Sequence, residues 1–179
     1  GKQIRELLLD REQTRLAATA ELFLYEASRA QLVAEVIRPA LAEGRVVLCD
    51  RFCDSTVAYQ GYGRGLDRGL IARLNAVATE GLAPDLTFLL DLDPALGLER
   101  AAQRGAQLRT RQDRMERELL AFHQRVREGY RAIAAAEPAR VVVLDGARGM
   151  TEIQDQIRRR VEAMLASPGR GADGNGVRP

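Results

Sequence analysis

Lysine is almost absent from this chain: Lys2 is the only one, and arginine supplies the rest of its 27 basic residues. Set against 25 acidic residues, they leave a net charge of +2, too little to point to a nucleic-acid partner. An arginine-rich usage suits recognition of phosphate or carboxylate through a planar fork of donors, but it equally reflects genome composition, which is the simpler reading. Tryptophan is missing, and the only cysteines are Cys49 and Cys53. They cannot build a disulfide framework or a four-ligand zinc site within the chain, so a reduced, cytoplasmic protein is expected. No apolar run reaches the about 18 residues of a membrane span, and GKQIRELLLD lacks the charged-then-apolar order of a signal peptide. No membrane partner is therefore expected. The chain begins at Gly1 rather than at a methionine, which suits processing or cloning as well as a sequence whose start has been lost.

What is present is the material of one α/β domain: 179 residues, 46% of them hydrophobic, with no second block of composition. Residues 19–43 carry apolar side chains at Leu22, Tyr25, Ala27, Leu32, Val36 and Ile37 among charged ones, and Gly44 follows as a stop, so a long amphipathic helix is expected there. Val46 to Cys49, Leu86 to Asp91 and Val141 to Asp145 are short continuous apolar runs ending on or beside an acid, which read as strands buried on both faces. Helical stretches at 68–80, 95–103, 113–136 and 151–166 separate or follow them. Such alternation predicts a doubly wound parallel sheet with helices on both faces, and ligands then sit at the carboxyl ends of the strands. The domain is expected to span 1–166. The tail 167–179 (SPGRGADGNGVRP) has only Val177 to bury and reads as disordered.

Residues 50–67, DRFCDSTVAYQGYGRGLD, follow the first expected strand. An Asp-Arg pair at a strand end can be a salt bridge and nothing more. Here, however, Ser55, Thr56, Tyr59 and Gln60 bring hydroxyl and amide groups to the same mouth, and Gly61, Gly63 and Gly65 let the backbone turn or approach a ligand closely. A second cluster, RGAQLRTRQDR at 104–114, crowds Arg104, Arg109, Arg111 and Arg114 into a stretch too polar to be core. Without context it is a solvated loop.

The 50–67 segment resembles the Asp-Arg-[Tyr/Phe/His]…Ser-Thr-x-Ala-Tyr-Gln-Gly…Gly-Arg-Gly signature of bacterial thymidylate kinases. Segments 21–41 (ELFLYEASRAQLVAEVIRPAL), 81–101 (GLAPDLTFLLDLDPALGLERA) and 113–130 (DRMERELLAFHQRVREGY) extend the likeness, in family order, to about residue 166. The resemblance implies a P-loop nucleoside-monophosphate-kinase fold and transfer of the γ-phosphoryl group of ATP to dTMP with Mg2+, giving dTDP and ADP. It implies that Arg51 grips the acceptor phosphate with Asp50 near the metal, and that Tyr25 stacks on thymine. Arg29, on the same helix face, would hydrogen-bond the base. Ser55 belongs to the same substrate-binding set, Thr56 and Gln60 would read the base edge, and Tyr59 would pack on the deoxyribose. Residues 104–114 become a lid, with Arg104 and Arg114 on ATP and one of Arg104, Arg109, Arg111 or Arg114 stabilising charge on the transferring group. A homodimer is implied too, with the helices near 21–43 and 68–80 as candidate contacts.

One departure stands out. No GxxxxGK[ST] run, whose backbone N–H groups and lysine cradle ATP phosphates, occurs anywhere in the chain. GKQIRELLLD instead matches the family's second helix, so the first strand, the phosphate loop, the first helix and the second strand are expected to be missing, and catalysis by this chain alone is not expected. Rival readings are a kinase for another nucleoside monophosphate, an arginine-rich nucleic-acid binder and a non-catalytic nucleotide-binding relic.

Overall fold

The structure, a computed structural model, describes residues 2–10, 16–108, 114–116 and 118–166. Helix α1 (Lys2–Leu9) packs on α2 (Ala18–Leu32), and each helix buries a leucine, Leu8 and Leu22. The long helix expected at 19–43 exists, but in three pieces: α2, a π turn at Val33–Ile37, and α3 (Arg38–Ala42). Pro39 explains the widening. It has no N–H to return to the preceding turn and its ring crowds that turn's carbonyl, so the helix relaxes to i→i+5 bonding just before it. Gly44, at φ +72°, ends the run as its sequence position suggests.

The expected strand at 46–49 is corrected: Val46 to Cys49 has neither helix nor ladder among the described residues, and Val46 and Leu48 are 66% and 92% exposed. A strand run is only half of a strand. The other half is a neighbouring backbone, and no described segment pairs with this one. The other two strands form. β1 (Thr87–Asp91) and β2 (Val141–Asp145) pair in parallel, with Thr87 opposite Val141 and Asp91 opposite Asp145. Burial on both faces is also corrected, because Leu90 and Val143 stay half exposed while Val141 and Leu144 are buried. Helix α7 (Leu120–Ala136) touches both strands, and no other described helix contacts the sheet as extensively.

An unexpected helical stretch occupies 53–63, as α4 (Cys53–Thr56) running into a π segment, Val57–Gly63. Its glycines serve close approach rather than turning. A Cβ on Gly63 would lie 2.7 Å from the Phe122 ring, and one on Gly129 of α7 would lie 2.8 Å from the Tyr62 ring. The backbones of α7 and the π segment therefore meet almost in contact, and the cluster of Ala58, Met115, Phe122 and Val126 is buried between them. Only Gly65, at φ +76°, turns the chain, toward α5 (Arg68–Thr79), where Asp67 caps the N-terminus by accepting from the Leu70 N–H. Helix α5 returns against α2. Two further helices, α6 (Pro94–Leu108) and α8 (Met150–Ala166), follow the two strands.

Candidate functional site

Two residues beyond the 46–49 run the backbone is unusual. Arg51 sits at φ +68°, one of only two non-glycine residues in the left-handed region among those described. Such a conformation costs an arginine on the order of 1–2 kcal/mol and persists where surrounding structure fixes it, commonly at functional sites. Here Cys49 Sγ donates to the Arg51 carbonyl at 3.2 Å, and the guanidinium lies 5.0 Å from the centre of the Tyr59 ring. Asp50, just before it, is exposed. Tyr59 is itself held edge-on by Phe122 and Tyr130, at 6.0 and 6.3 Å between centroids. The Tyr130 hydroxyl meets Ser55 Oγ at 2.7 Å, and burial pushes the phenol up to about 12, so it stays protonated and able to donate. Ser55 and Tyr59, both half-buried, and the exposed Arg51 thus form one wall.

A second group builds around Arg29, one turn beyond the half-buried Tyr25 on α2. Its Nε donates to Glu26 Oε2 at 3.3 Å, its Nη2 donates to Thr56 Oγ1, and the Phe52 ring lies 5.2 Å from Cζ. Thr56 is buried. Burial pushes the Glu26 carboxyl above its ordinary range despite the charge and hydrogen bond of Arg29 and the Thr56 hydroxyl, and Glu26 Oε1 has no partner. Cys53 nearby is pushed up to about 11, chiefly by burial, so its thiol is neutral at physiological pH.

The third group surrounds Glu21, fully buried on the same helix. Gln60 Nε2 donates to it at 2.7 Å, Arg64 at 3.1 and 3.2 Å, and Arg114 Nη2 at 2.6 Å. Burial alone would raise its carboxyl, but donors from Arg64, Gln60 and Arg114 outweigh that and hold it below the ordinary range. Arg64 also reaches Glu118 at 2.6 Å and lies 4.7 Å over the Phe122 ring, while Arg114 Nε donates to the Leu8 carbonyl at 2.9 Å. One carboxylate therefore ties together α1, α2, the π segment and the turn at 114–116.

The arginines expected in a lid divide. Arg104, 67% exposed, makes a 3.7 Å contact with Glu116 among the described residues. Arg114 is held in the Glu21 group. Arg109 and Arg111 lie outside the described residues. At the carboxyl ends of the strands, where ligands were expected, a cleft of about 270 Å³ is lined by Asp91, Leu92, Arg127, Leu144, Asp145 and Ala147 among others. Arg127 binds Asp91 through both nitrogens at 2.6 and 3.0 Å and holds that carboxyl below its ordinary range. None of the residues from 25 to 60 lines this cleft, so the groups above and the cleft are separate places.

Sequence reasoning overlooked Glu21, Glu26, Arg64 and Tyr130. Glu26 had a signal. It stands four residues after Leu22 and seven before Val33, on the stripe that α2 buries, where an acid is out of place.

Comparison with known proteins adds to this geometry. The family profile described as thymidylate kinase matches residues 1–157. A thymidylate kinase of Solidesulfovibrio magneticus is 63% identical over 149 residues, covering 82% of this chain and 71% of its own length. One of Desulfovibrio desulfuricans is 53% identical over 175 residues, covering 97% of this chain and 81% of its own. Among solved structures, the thymidylate kinase from Ehrlichia chaffeensis is 30% identical and superposes with a TM-score of 0.67, covering 89% of this chain and 72% of that one.

Proposed function

This chain belongs to the thymidylate kinase family, and from that premise we propose that residues 50–64 together with α2 form the subsite for the nucleotide that receives the phosphoryl group. The reaction is transfer of the γ-phosphoryl group of ATP to dTMP, giving dTDP and ADP. The single observation that carries the assignment is Arg51. A strained backbone holds its guanidinium against Tyr59 at the end of the 46–49 run, where a fork of donors suits a phosphate. Tyr25 and Arg29 take the base by stacking and hydrogen bonding, with Thr56 and Gln60 at its edge. Tyr59 packs on the sugar, and Ser55 holds the wall upright through Tyr130.

Little covalent work falls to the protein in phosphoryl transfer, so these residues act by positioning and by matching charge. Mg2+ is implied by the family. The described residues offer no cage of three or more His, Cys, Asp or Glu, which fits a metal held mainly by phosphate oxygens and water with one or two carboxylates, and exposed Asp50 beside Arg51 is such a carboxylate. When bound, the ion neutralises charge on the phosphates being parted. Arg104, Arg109 and Arg111 are the lid arginines of choice, because Arg114 would have to leave both Glu21 and Leu8 to reach ATP. A cytoplasmic setting is proposed from the thiols. A homodimer is proposed from Phe23, Val36 and Val77, which are 53%, 54% and 76% exposed on α2, the π turn and α5. Sedimentation equilibrium giving a monomer at micromolar concentration would count against it.

The 179 residues contain no phosphate loop, so by themselves they should release no ADP above background in a coupled assay with ATP and dTMP. Supplying a loop-bearing N-terminal segment from a relative should restore turnover. Turnover by the chain alone would overturn this reading of its phosphate chemistry.

A further inference from the structure

Glu26 is a buried acid that the reaction does not call on. It is 6% exposed, one oxygen accepts from Arg29 Nε at 3.3 Å, and the other is buried without a partner. Burying a carboxylate is unfavourable unless it is fully paired, and an apolar or amide side chain of similar volume would fill this place on the α2 stripe at less cost. The acid therefore has another use. Arg29 is fixed on three sides: Glu26 at Nε, Thr56 at Nη2, and the Phe52 ring beneath Cζ. Nε lies at the root of the fork, so a fixed acceptor there sets the plane of the whole guanidinium.

We propose that Glu26 is a positioning residue for base selection, orienting the Arg29 guanidinium so that its donors face the pyrimidine edge. The proposal rests on the reading of Arg29 as the base reader. A guanidinium only donates hydrogen bonds, and thymine offers a carbonyl acceptor where cytosine offers an amino donor. A correctly aimed Arg29 therefore favours thymine. One that swings freely loses preference before it loses affinity for the phosphate, which Arg51 supplies.

The test is calorimetric binding of dTMP and dCMP to the 179-residue chain, as wild type, Glu26→Ala, Glu26→Gln and Arg29→Leu, each with a thermal melt. Glu26→Ala should lower the ratio of dTMP to dCMP affinity by about tenfold, and Glu26→Gln, which keeps a neutral acceptor at Nε, should restore part of it. A role in packing alone would weaken both nucleotides equally. An unchanged ratio in Glu26→Ala alongside a collapsed ratio in Arg29→Leu overturns the role of Glu26. An unchanged ratio in Arg29→Leu, or no dTMP binding by the wild type, overturns the base-reader assignment beneath it. If Glu26→Ala does not fold, Glu26→Leu, which fills the place without an acceptor for Nε, takes its part, and a ratio equal to wild type there counts against the proposal.

Discussion

Helix α2 buries two glutamates, and they are opposites. Glu21 is surrounded by the amide of Gln60 and the guanidinium groups of Arg64 and Arg114, and its carboxyl is held below the ordinary value of 4.5. Glu26 has only Arg29 and the Thr56 hydroxyl to set against its burial, one of its oxygens has no partner, and burial pushes it above the same value. Burial is similar at both, so the number of donors decides the sign. The first glutamate joins elements of the fold, whereas the second is a local cost beside residues assigned to the base.

The sharpest way to break this contrast is to remove Glu21. Glu21→Ala takes the shared carboxylate from two part-buried guanidinium groups, leaving Arg64 with Glu118 and Arg114 with the Leu8 carbonyl, and should destabilise the fold by about 2–4 kcal/mol in urea unfolding. A loss under about 1 kcal/mol would mean that Arg64 and Arg114 find other partners, and that Glu21 is no joint.

Glu26→Gln should do far less, and in the other direction. A group whose folded value is raised contributes stability below the unfolded value of 4.5 and loses it as pH rises through the folded value. The amide variant should therefore be more stable than wild type at neutral pH, with the advantage vanishing toward pH 4.5 and below. Glu21→Gln should show the mirror image, because a lowered group contributes above 4.5 and loses that contribution as pH falls through its folded value. Unfolding free energies measured from about pH 2 to pH 8 would expose parallel behaviour of the two variants, which would erase the distinction.

How much of this was legible in the sequence depended on whether a signal was local. Gly44 ends the long helix because a left-handed stop needs only one residue, and the runs 87–91 and 141–145 pair because each supplies the other's neighbour. Val46 to Cys49 has the same apolar pattern and makes no ladder among the described residues, since pairing is a property of two segments. The stretch 53–63 was hidden as a helix because Gly61 and Gly63 weaken helix propensity, and only tertiary neighbours explain why they are there: Arg68 and Ile71 close to Gly61, Phe122 and Val126 close to Gly63. At the site, residue types and order marked Arg51, Thr56 and Tyr59, whereas Arg29 was singled out only through the family resemblance. The carboxylates that hold their neighbours were not marked, because a glutamate on a helix is ordinarily solvated and only tertiary packing shows which one is not.

The central claim, that Arg51 and its wall take the phosphate of a thymidine nucleotide, is tested most directly by calorimetric titration of dTMP and of thymidine into wild type and Arg51→Ala. Losing a charge-assisted contact to phosphate should weaken dTMP by about 2–3 kcal/mol, roughly 30- to 150-fold, while leaving thymidine, which has no phosphate, almost unchanged. Equal weakening of both ligands, or none of either, would contradict the assignment.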